Sequence, residues 1–394
     1  MKRLKVIYIL LIIILLSLPL VVTTIDVKCN LKLDAGDNAD IPKFDGNIFK
    51  FVNKYRKYFR HDYVGRNLFI SVYSNLRFTL LKESPIPDRM LVGKDDFLFF
   101  CDKNDGNSIV DYQGYIQLSQ EELESIYGFL NSFYEWLKQR NIVFYFIVAP
   151  DKQTIYYDKL PDKIKRVGKT SADQIIDYLI KKGIPVIDLR HPLLEAKALY
   201  NFDLYLKTDT HWNSLGAYVA YRSIIDELIK DYPGISPLII DTYHITNKPL
   251  TVNNGIGEMY RFMRCKRDPF FYDADLKCDI AFTTEYPAGT KPYAKVTVTK
   301  NGKNNGKAVV YMDSFFCWLT PYFSNNFGYA YYVWEYLYKT KKIEKDKIEE
   351  IKPDVVMIET VERFLKYYKD IAPIKIGENS GKEMQDDITN MNMS

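Results

Sequence analysis

An acid, an imidazole and a hydroxyl stand out in this chain for what they could do together. Lys207-Thr208-Asp209-Thr210-His211-Trp212 carries a carboxylate and an imidazole two residues apart. Asp313-Ser314-Phe315, about a hundred residues downstream, places a hydroxyl directly after the apolar run Ala308-Val309-Val310-Tyr311-Met312. A serine hydroxyl is a poor nucleophile near neutral pH. It becomes competent when an imidazole takes its proton and a carboxylate sets the tautomer and steadies the imidazolium. Asp209, His211 and Ser314 are therefore candidate catalytic residues for acyl transfer. A serine between a buried strand and a helix also lies at a sheet edge, where its own N–H can face an oxyanion. A structural reading stays open beside this one. Asp209 and His211 could cap a helix opening near Ser214, and Ser314 one opening near Pro321.

Other residues could serve the same site. Asp151 and Lys152 follow a continuous apolar run, at the strand end where α/β sites gather. Lys152 is a candidate for substrate binding, and salt bridging is its alternative. Trp212, Trp318 and Trp334 could stack on a sugar ring or pack in the core, and Trp212 is the best placed because it sits in a loop. Gly255 and Gly257 could let a backbone N–H approach an oxyanion, or simply form a turn. The four His are scattered, with no HxH or HExxH, so nothing calls for a metal or a cofactor. The five Cys contain no CxxC pair. Cys265 and Cys278 could pair if the domain is exported, and an odd count leaves a thiol over.

The elements that must position these residues alternate in type. Ser119-Gln120-Glu121-Glu122 is a capping box, and Leu123, Ile126, Tyr127, Leu130, Phe133, Tyr134 and Leu137 recur on one face of the helix it opens. Ile142 to Ala149 reads as a buried parallel strand. Ser171 to Lys182 is a helix, Ile184 to Leu189 a strand, and His191 to Tyr200 a short helix. Ser214 to Lys230 is helical after the Asp209 loop. Residues 231–294 look irregular. Ala294 to Thr299 and Ala308 to Met312 are expected strands, with a helix from about Pro321 to Tyr338. Strand Asp354 to Ile358 and helix Thr360 to Tyr368 close the pattern. Such alternation predicts an α/β fold, a three-layer sandwich on a mostly parallel sheet. Before it, Ile48 to Leu81 has helical spacing, and Met90 to Phe100 reads as two short strands about a turn.

Composition bounds the function. The chain has 394 residues, 47% hydrophobic and 26% charged, with a net charge of +4. That balance is globular and argues against nucleic acid as a partner. Lys2-Arg3-Leu4-Lys5 precedes an uncharged run from Val6 to Ile25. At about 1.5 Å per residue the run nearly crosses a bilayer core of about 30 Å. It is a signal peptide or an anchor, and Val21-Val22-Thr23-Thr24 lacks a small-residue cleavage site, which favours the anchor. The basic flank would keep that end cytoplasmic and put the rest outside. The expected organisation is a membrane segment over 1–26, a linker over 27–42, one domain over 43–372 and a disordered tail over 373–394.

Several stretches together resemble the SGNH-type domain of the alginate O-acetyltransferase family. They are Gly93-Lys94-Asp95-Asp96-Phe97-Leu98-Phe99, then Pro150-Asp151-Lys152 with Tyr156 and Leu160-Pro161. Thr208-Asp209-Thr210-His211-Trp212 with Gly216-Ala217-Tyr218 follows, then Asp313-Ser314-Phe315, and last Pro353-Asp354-Val355-Val356 with Glu359 and Glu362-Arg363. They stand in the family's order. The threonine at 210, where a related bacterial family has histidine, favours the acetyltransferase branch. The resemblance implies a nucleophilic Ser314 with His211 and Asp209. It implies an extracytoplasmic enzyme moving acetyl onto a polysaccharide hydroxyl beside a multi-spanning membrane acyltransferase. There are departures. Met312 stands where the family usually has glycine, and Gly255-Ile256-Gly257-Glu258-Met259 only loosely matches the family's Gly-Asp-Leu block. An acetylesterase differs only in letting water take the acyl group. A catalytically idle scaffold of a polysaccharide export complex is the reading that Met312 favours.

Overall fold

The computed structural model describes residues 42–61, 66–242, 245–263, 268–286, 296–334 and 337–374, with scattered positions between 6 and 21. Among the described residues, no helix is long and apolar enough to cross a membrane. The expected span over Val6 to Ile25 lies partly outside them, and the tail from residue 375, Cys29, His244 and Cys265 lie wholly outside. Among the described residues, Cys278 and Cys317 are free thiols.

Contacts divide the chain into two compact units. One comprises Met1–Pro87 with Tyr260–Asp268. Its helices Ile48–His61 and Arg66–Leu81 fall where helical spacing predicts them. Phe78 of the second helix packs edge-on against Tyr260, ring centroids 5.5 Å apart. The other unit, Asp88–Met259 with Pro269–Ser394, contains Asp209, His211 and Ser314.

The second unit is built on a seven-stranded sheet. In chain order its strands are β1 (Val143–Ala149), β2 (Val186–Asp188), β3 (Thr283–Glu285), β4 (Val296–Lys300), β5 (Lys307–Tyr311), β6 (Tyr329–Val333) and β7 (Val355–Val361). The order across the sheet is β2-β1-β7-β5-β6-β4-β3. The first five are mutually parallel, and β4 and β3 add antiparallel pairs at one edge. Side chains alternate along each strand, so each strand feeds two cores. Phe144, Phe146 and Val148 of β1 pack with Phe129, Leu130 and Phe133 of helix α1 (Gln120–Lys138) and with Ile175 and Leu179 of α2 (Ser171–Lys181). Tyr145, Ile147 and Ala149 pack on the other side, with Leu193 of α3 (Arg190–Leu199) and Leu215, Tyr221, Ile224 and Leu228 of α4 (Ser214–Asp231). The result is a helix–sheet–helix sandwich. The capping box at Ser119 is formed, with Glu122 bonding back to the Ser119 N–H, and α2 opens on a second one at Thr170.

Two expectations fail locally. Residues after Pro321 do not form one long helix. A single turn, Thr320–Phe323, is followed by a 3-10 turn, Ser324–Asn326, and then by strand β6. The Asn325 amide bonds the Pro321 carbonyl at 2.7 Å, which closes the turn. Gly328 then brings the chain so close to Asn304 that a Cβ would lie 2.1 Å from its carbonyl oxygen. The aromatic and β-branched Tyr-Ala-Tyr-Tyr-Val that follows suits the sheet. The second failure is at the last helix. Strand β7 runs on to Val361, and a 3-10 helix, Glu362–Asp370, replaces the expected α-helix.

Candidate active site

Asp209 and His211 are aimed by a tight hairpin. Tyr205 and Trp212 pair antiparallel, the Leu206 N–H donates to the His211 carbonyl at 3.1 Å, and the Asn213 N–H donates to the Leu204 carbonyl at 2.9 Å. The residues between turn back, so carboxylate and imidazole project together without an extended backbone. Neither caps α4. Asn213 does that, its Oδ1 accepting from the Gly216 N–H at 3.0 Å.

Ser314 sits just past the carboxyl end of β5. Asp313 holds the turn that carries it. Its Oδ1 accepts the Phe315 N–H at 2.8 Å and its Oδ2 accepts the Val361 N–H at 2.7 Å. The Asp313 N–H in turn donates to Glu359 at 3.0 Å. The serine turn is thus tied to the neighbouring strand β7 from both sides. Met312, in the position where glycine was expected, is buried in the core beneath this turn. Ser314 itself is half-buried, and the Ser314-to-Pro321 stretch opens with a 3-10 turn, Phe316–Trp318.

The two loops meet. His211 Nε2 lies 2.7 Å from Ser314 Oγ, and His211 Nδ1 lies 2.7 Å from Asp209 Oδ1. Burial alone would push the Asp209 carboxyl up and the His211 imidazole down. Their mutual hydrogen bond and opposite charges win. Asp209 is held well below the ordinary carboxylate range, and His211 is raised above the ordinary imidazole value. A carboxylate stays ionised against a basic imidazole, which in turn touches a hydroxyl. That arrangement can transfer a proton from the serine and activate it.

A residue that sequence reading missed stands behind the acid. The Glu258 N–H donates to Asp209 Oδ2 at 2.9 Å. The Glu258 carboxylate accepts the Thr210 hydroxyl at 2.9 Å, and its charge helps to raise His211. The approach depends on Gly257, where a Cβ would lie 2.6 Å from the Thr208 carbonyl oxygen. The Met259 N–H also donates to that carbonyl, at 3.1 Å. So the Gly255-Ile256-Gly257 stretch works as a brace for the carboxylate. Gly255 makes the turn, with φ of +71°. The glycine pair before an acid was the only signal in the sequence.

Two expected binding residues are corrected. Trp212 is fully buried, its indole N–H donating to the Phe315 carbonyl at 3.1 Å and its ring edge-on to Phe315 at 5.0 Å. With no exposed face it cannot stack on a sugar; it docks the hairpin onto the serine turn. Lys152 is also buried, and its ammonium donates to the carbonyls of Leu98 at 2.9 Å and Lys207 at 3.1 Å. Those bonds spend it on holding loops together. Asp151 pairs with Arg363, and its N–H donates to Glu362 at 2.8 Å. Burial pushes the Glu362 carboxyl up to about 8. This ionic cluster links the carboxyl ends of β1 and β7. Among the described residues, Asp209, His211 and Glu258 are the grouping whose ligand atoms lie close enough for a metal ion, within 4.8 Å. Asp209 and His211 bond each other, which leaves Glu258 to offer the remaining donor.

The site lies on a parallel-centred α/β sandwich, with a serine past one strand and an Asp-x-His hairpin facing it. Residues 90–274 match the family model described as SGNH hydrolase-like domain, acetyltransferase AlgX, and the chain is distantly similar to the AlgJ and AlgX alginate O-acetylases. It is 28% identical over 185 residues to the probable alginate O-acetylase AlgJ of Pseudomonas aeruginosa. That match covers 45% of this chain and 42% of the relative, so the chain spans under half of that protein's length. Among solved structures, Bacillus cereus PatB1 with a sulfonyl adduct is similar at 18% identity and a TM-score of 0.48, covering 71% of this chain and 98% of that one. The O-acetyltransferase domain of Pseudomonas putida AlgJ is similar at 19% identity and a TM-score of 0.43, covering 71% of this chain and 92% of that one.

Proposed function

We propose that this chain is an extracytoplasmic O-acetyltransferase that moves an acetyl group through Ser314 onto a polysaccharide hydroxyl. The observation that carries the reading is the unbroken chain from Asp209 through His211 to Ser314 Oγ, with both steps at 2.7 Å. The similarity to a protein named as an alginate O-acetylase supports a polysaccharide acceptor. An extracytoplasmic placement belongs to the same proposal, supported by the apolar run over Val6 to Ile25 and its basic flank, and a membrane-bound partner acyltransferase is what the family resemblance implies.

In this mechanism Ser314 Oγ attacks the acetyl carbonyl of the donor ester while His211 Nε2 takes its proton. Asp209 keeps the Nδ1–H in place and offsets the charge of the imidazolium. The tetrahedral oxyanion forms beside the Ser314 main-chain N–H, the donor we assign to it. Collapse breaks the donor C–O bond, and His211 returns the proton to the leaving alcohol. A sugar hydroxyl then enters and gives its proton to His211. It attacks the acyl-enzyme, and the second collapse releases the acetylated sugar and restores the serine. Water in place of the sugar would make the same enzyme an esterase.

The test is labelling of the protein with a fluorophosphonate probe, alongside acetyl transfer from an activated aryl acetate to an oligosaccharide. We expect Ser314 to be labelled, and Ser314→Ala to lose both labelling and transfer while melting near the parent. A Ser314→Ala variant that transfers as well as the parent would end this reading.

A further inference from the structure

Beside the hairpin that carries Asp209 and His211 lies a concavity of about 330 Å³. That is the small end of the roughly 300–1,000 Å³ usual for ligand sites. Its lining sets the rings of Phe270 and Tyr272 beside the side chains of Asn201, Asn247, Asp203 and Lys207. One lysine and one aspartate offset each other. The cleft therefore has no charge surplus to draw a phosphate or a polyanion, and its amides and charges exclude a lipid chain. Flat rings next to amide and carboxylate groups suit a ligand with an apolar face and a hydroxyl edge, which describes a neutral pyranose.

The walls are fixed in advance. Tyr205 also lines the cleft, and its hydroxyl donates to the Pro150 carbonyl at 2.6 Å. Tyr272, 44% exposed, belongs to a two-stranded ribbon in which it pairs with Pro249. The next residue, Asp273, accepts the N–H of Ser214 at 2.7 Å and its hydroxyl at 2.6 Å, which clamps the ribbon to the start of α4. The cleft is close to the chemistry. Lys207 is two residues from Asp209, and at 3.80 Å per trans step their Cα atoms lie at most about 7.6 Å apart. An occupant is held against the loop that aims His211.

We propose that this cleft seats a neutral sugar residue of the acceptor glycan, next to the residue that receives acetyl. The proposal rests on the O-acetyltransferase reading. Tyr272 supplies the stacking face, Asn201, Asn247 and Asp203 bond the hydroxyls, and the clamp of the ribbon keeps these groups in place before the ligand arrives.

The experiment uses the full chain carrying Ser314→Ala, so that no turnover occurs, titrated calorimetrically with neutral gluco-, manno- and xylo-oligosaccharides and with an oligo-uronate. The titration is repeated with Tyr272→Ala added. A neutral oligosaccharide should bind, and Tyr272→Ala should weaken it about tenfold or more with melting retained. Equal binding by both proteins, binding of the oligo-uronate only, or no binding of any neutral sugar would overturn the proposal. Where Tyr272→Ala melts early, the exposed Asn247→Ala is read in its place. Fluorophosphonate labelling of the parent separates the two claims. Labelling without sugar binding removes the cleft and leaves the nucleophile. Sugar binding lost with Tyr272→Ala, but without labelling, leaves a glycan site and removes the acyl-enzyme.

Discussion

Gly257→Ala isolates the brace behind Asp209. The new Cβ would lie 2.6 Å from both the carbonyl and the hydroxyl oxygen of Thr208. Ordinary contact needs about 3.5 Å, so the segment must retreat by about 1 Å. The Glu258 N–H would then move from 2.9 Å to beyond hydrogen-bond reach of Asp209 Oδ2. A hydrogen bond to a charged group contributes about 1.5–3 kcal/mol. Expressed wholly in the barrier, at 1.36 kcal/mol per decade, that is roughly a 10- to 150-fold loss of rate. The assay is the second-order rate of fluorophosphonate labelling of Ser314, with hydrolysis of an aryl acetate as a second readout. Overpacking of about 1–3 kcal/mol will lower the melting temperature, so both rates are taken well below it. We expect the labelling rate to fall by about 10- to 150-fold. A folded Gly257→Ala protein that labels at the parent rate would refute the brace.

Four further outcomes follow from the same geometry. Asp209→Asn keeps the shape but favours the wrong imidazole tautomer, and turnover of the activated ester should fall on the order of 10⁴-fold; a loss of less than tenfold would remove Asp209 from the relay. His211 must be neutral to accept the serine proton, and its pKa is raised, so the rate should fall as pH drops through a value above the ordinary 6.5 or so. Glu258→Gln removes one of the charges that raise it, so a pH–rate profile should show the acid limb moving to lower pH, and an unmoved limb would sink the idea. Lys152→Met takes a donor from a buried and a part-buried carbonyl at a cost of about 1–3 kcal/mol, so it should lower the melting temperature without changing glycan affinity in calorimetry. A variant that melts normally but binds no glycan would return Lys152 to the substrate.

The alternation of strands and helices was legible because its causes are local. The capping box at Ser119 and the continuous apolar run ending at Ala149 carry their own patterns of period and burial, and both elements form as those patterns require. Asp209, His211 and Ser314 were legible as residue types suited to one another's chemistry. Their meeting was not, because 103 residues separate His211 from Ser314 and only the sheet order puts β5 beside the hairpin. Trp212 and Lys152 show the limit most directly. An aromatic ring and an ammonium in loops read as ligand contacts, yet both are buried, because their hydrogen bonds find carbonyls that belong to distant segments. Glu258 shows the converse. Only the glycine pair before it marks it in the sequence, and its N–H reaches the carboxylate because Gly257 has no side chain at the point of closest approach. Strand β6 came out of a stretch with a helical pattern because parallel pairing with β5 satisfies its backbone groups across the sheet, a gain that no local window contains.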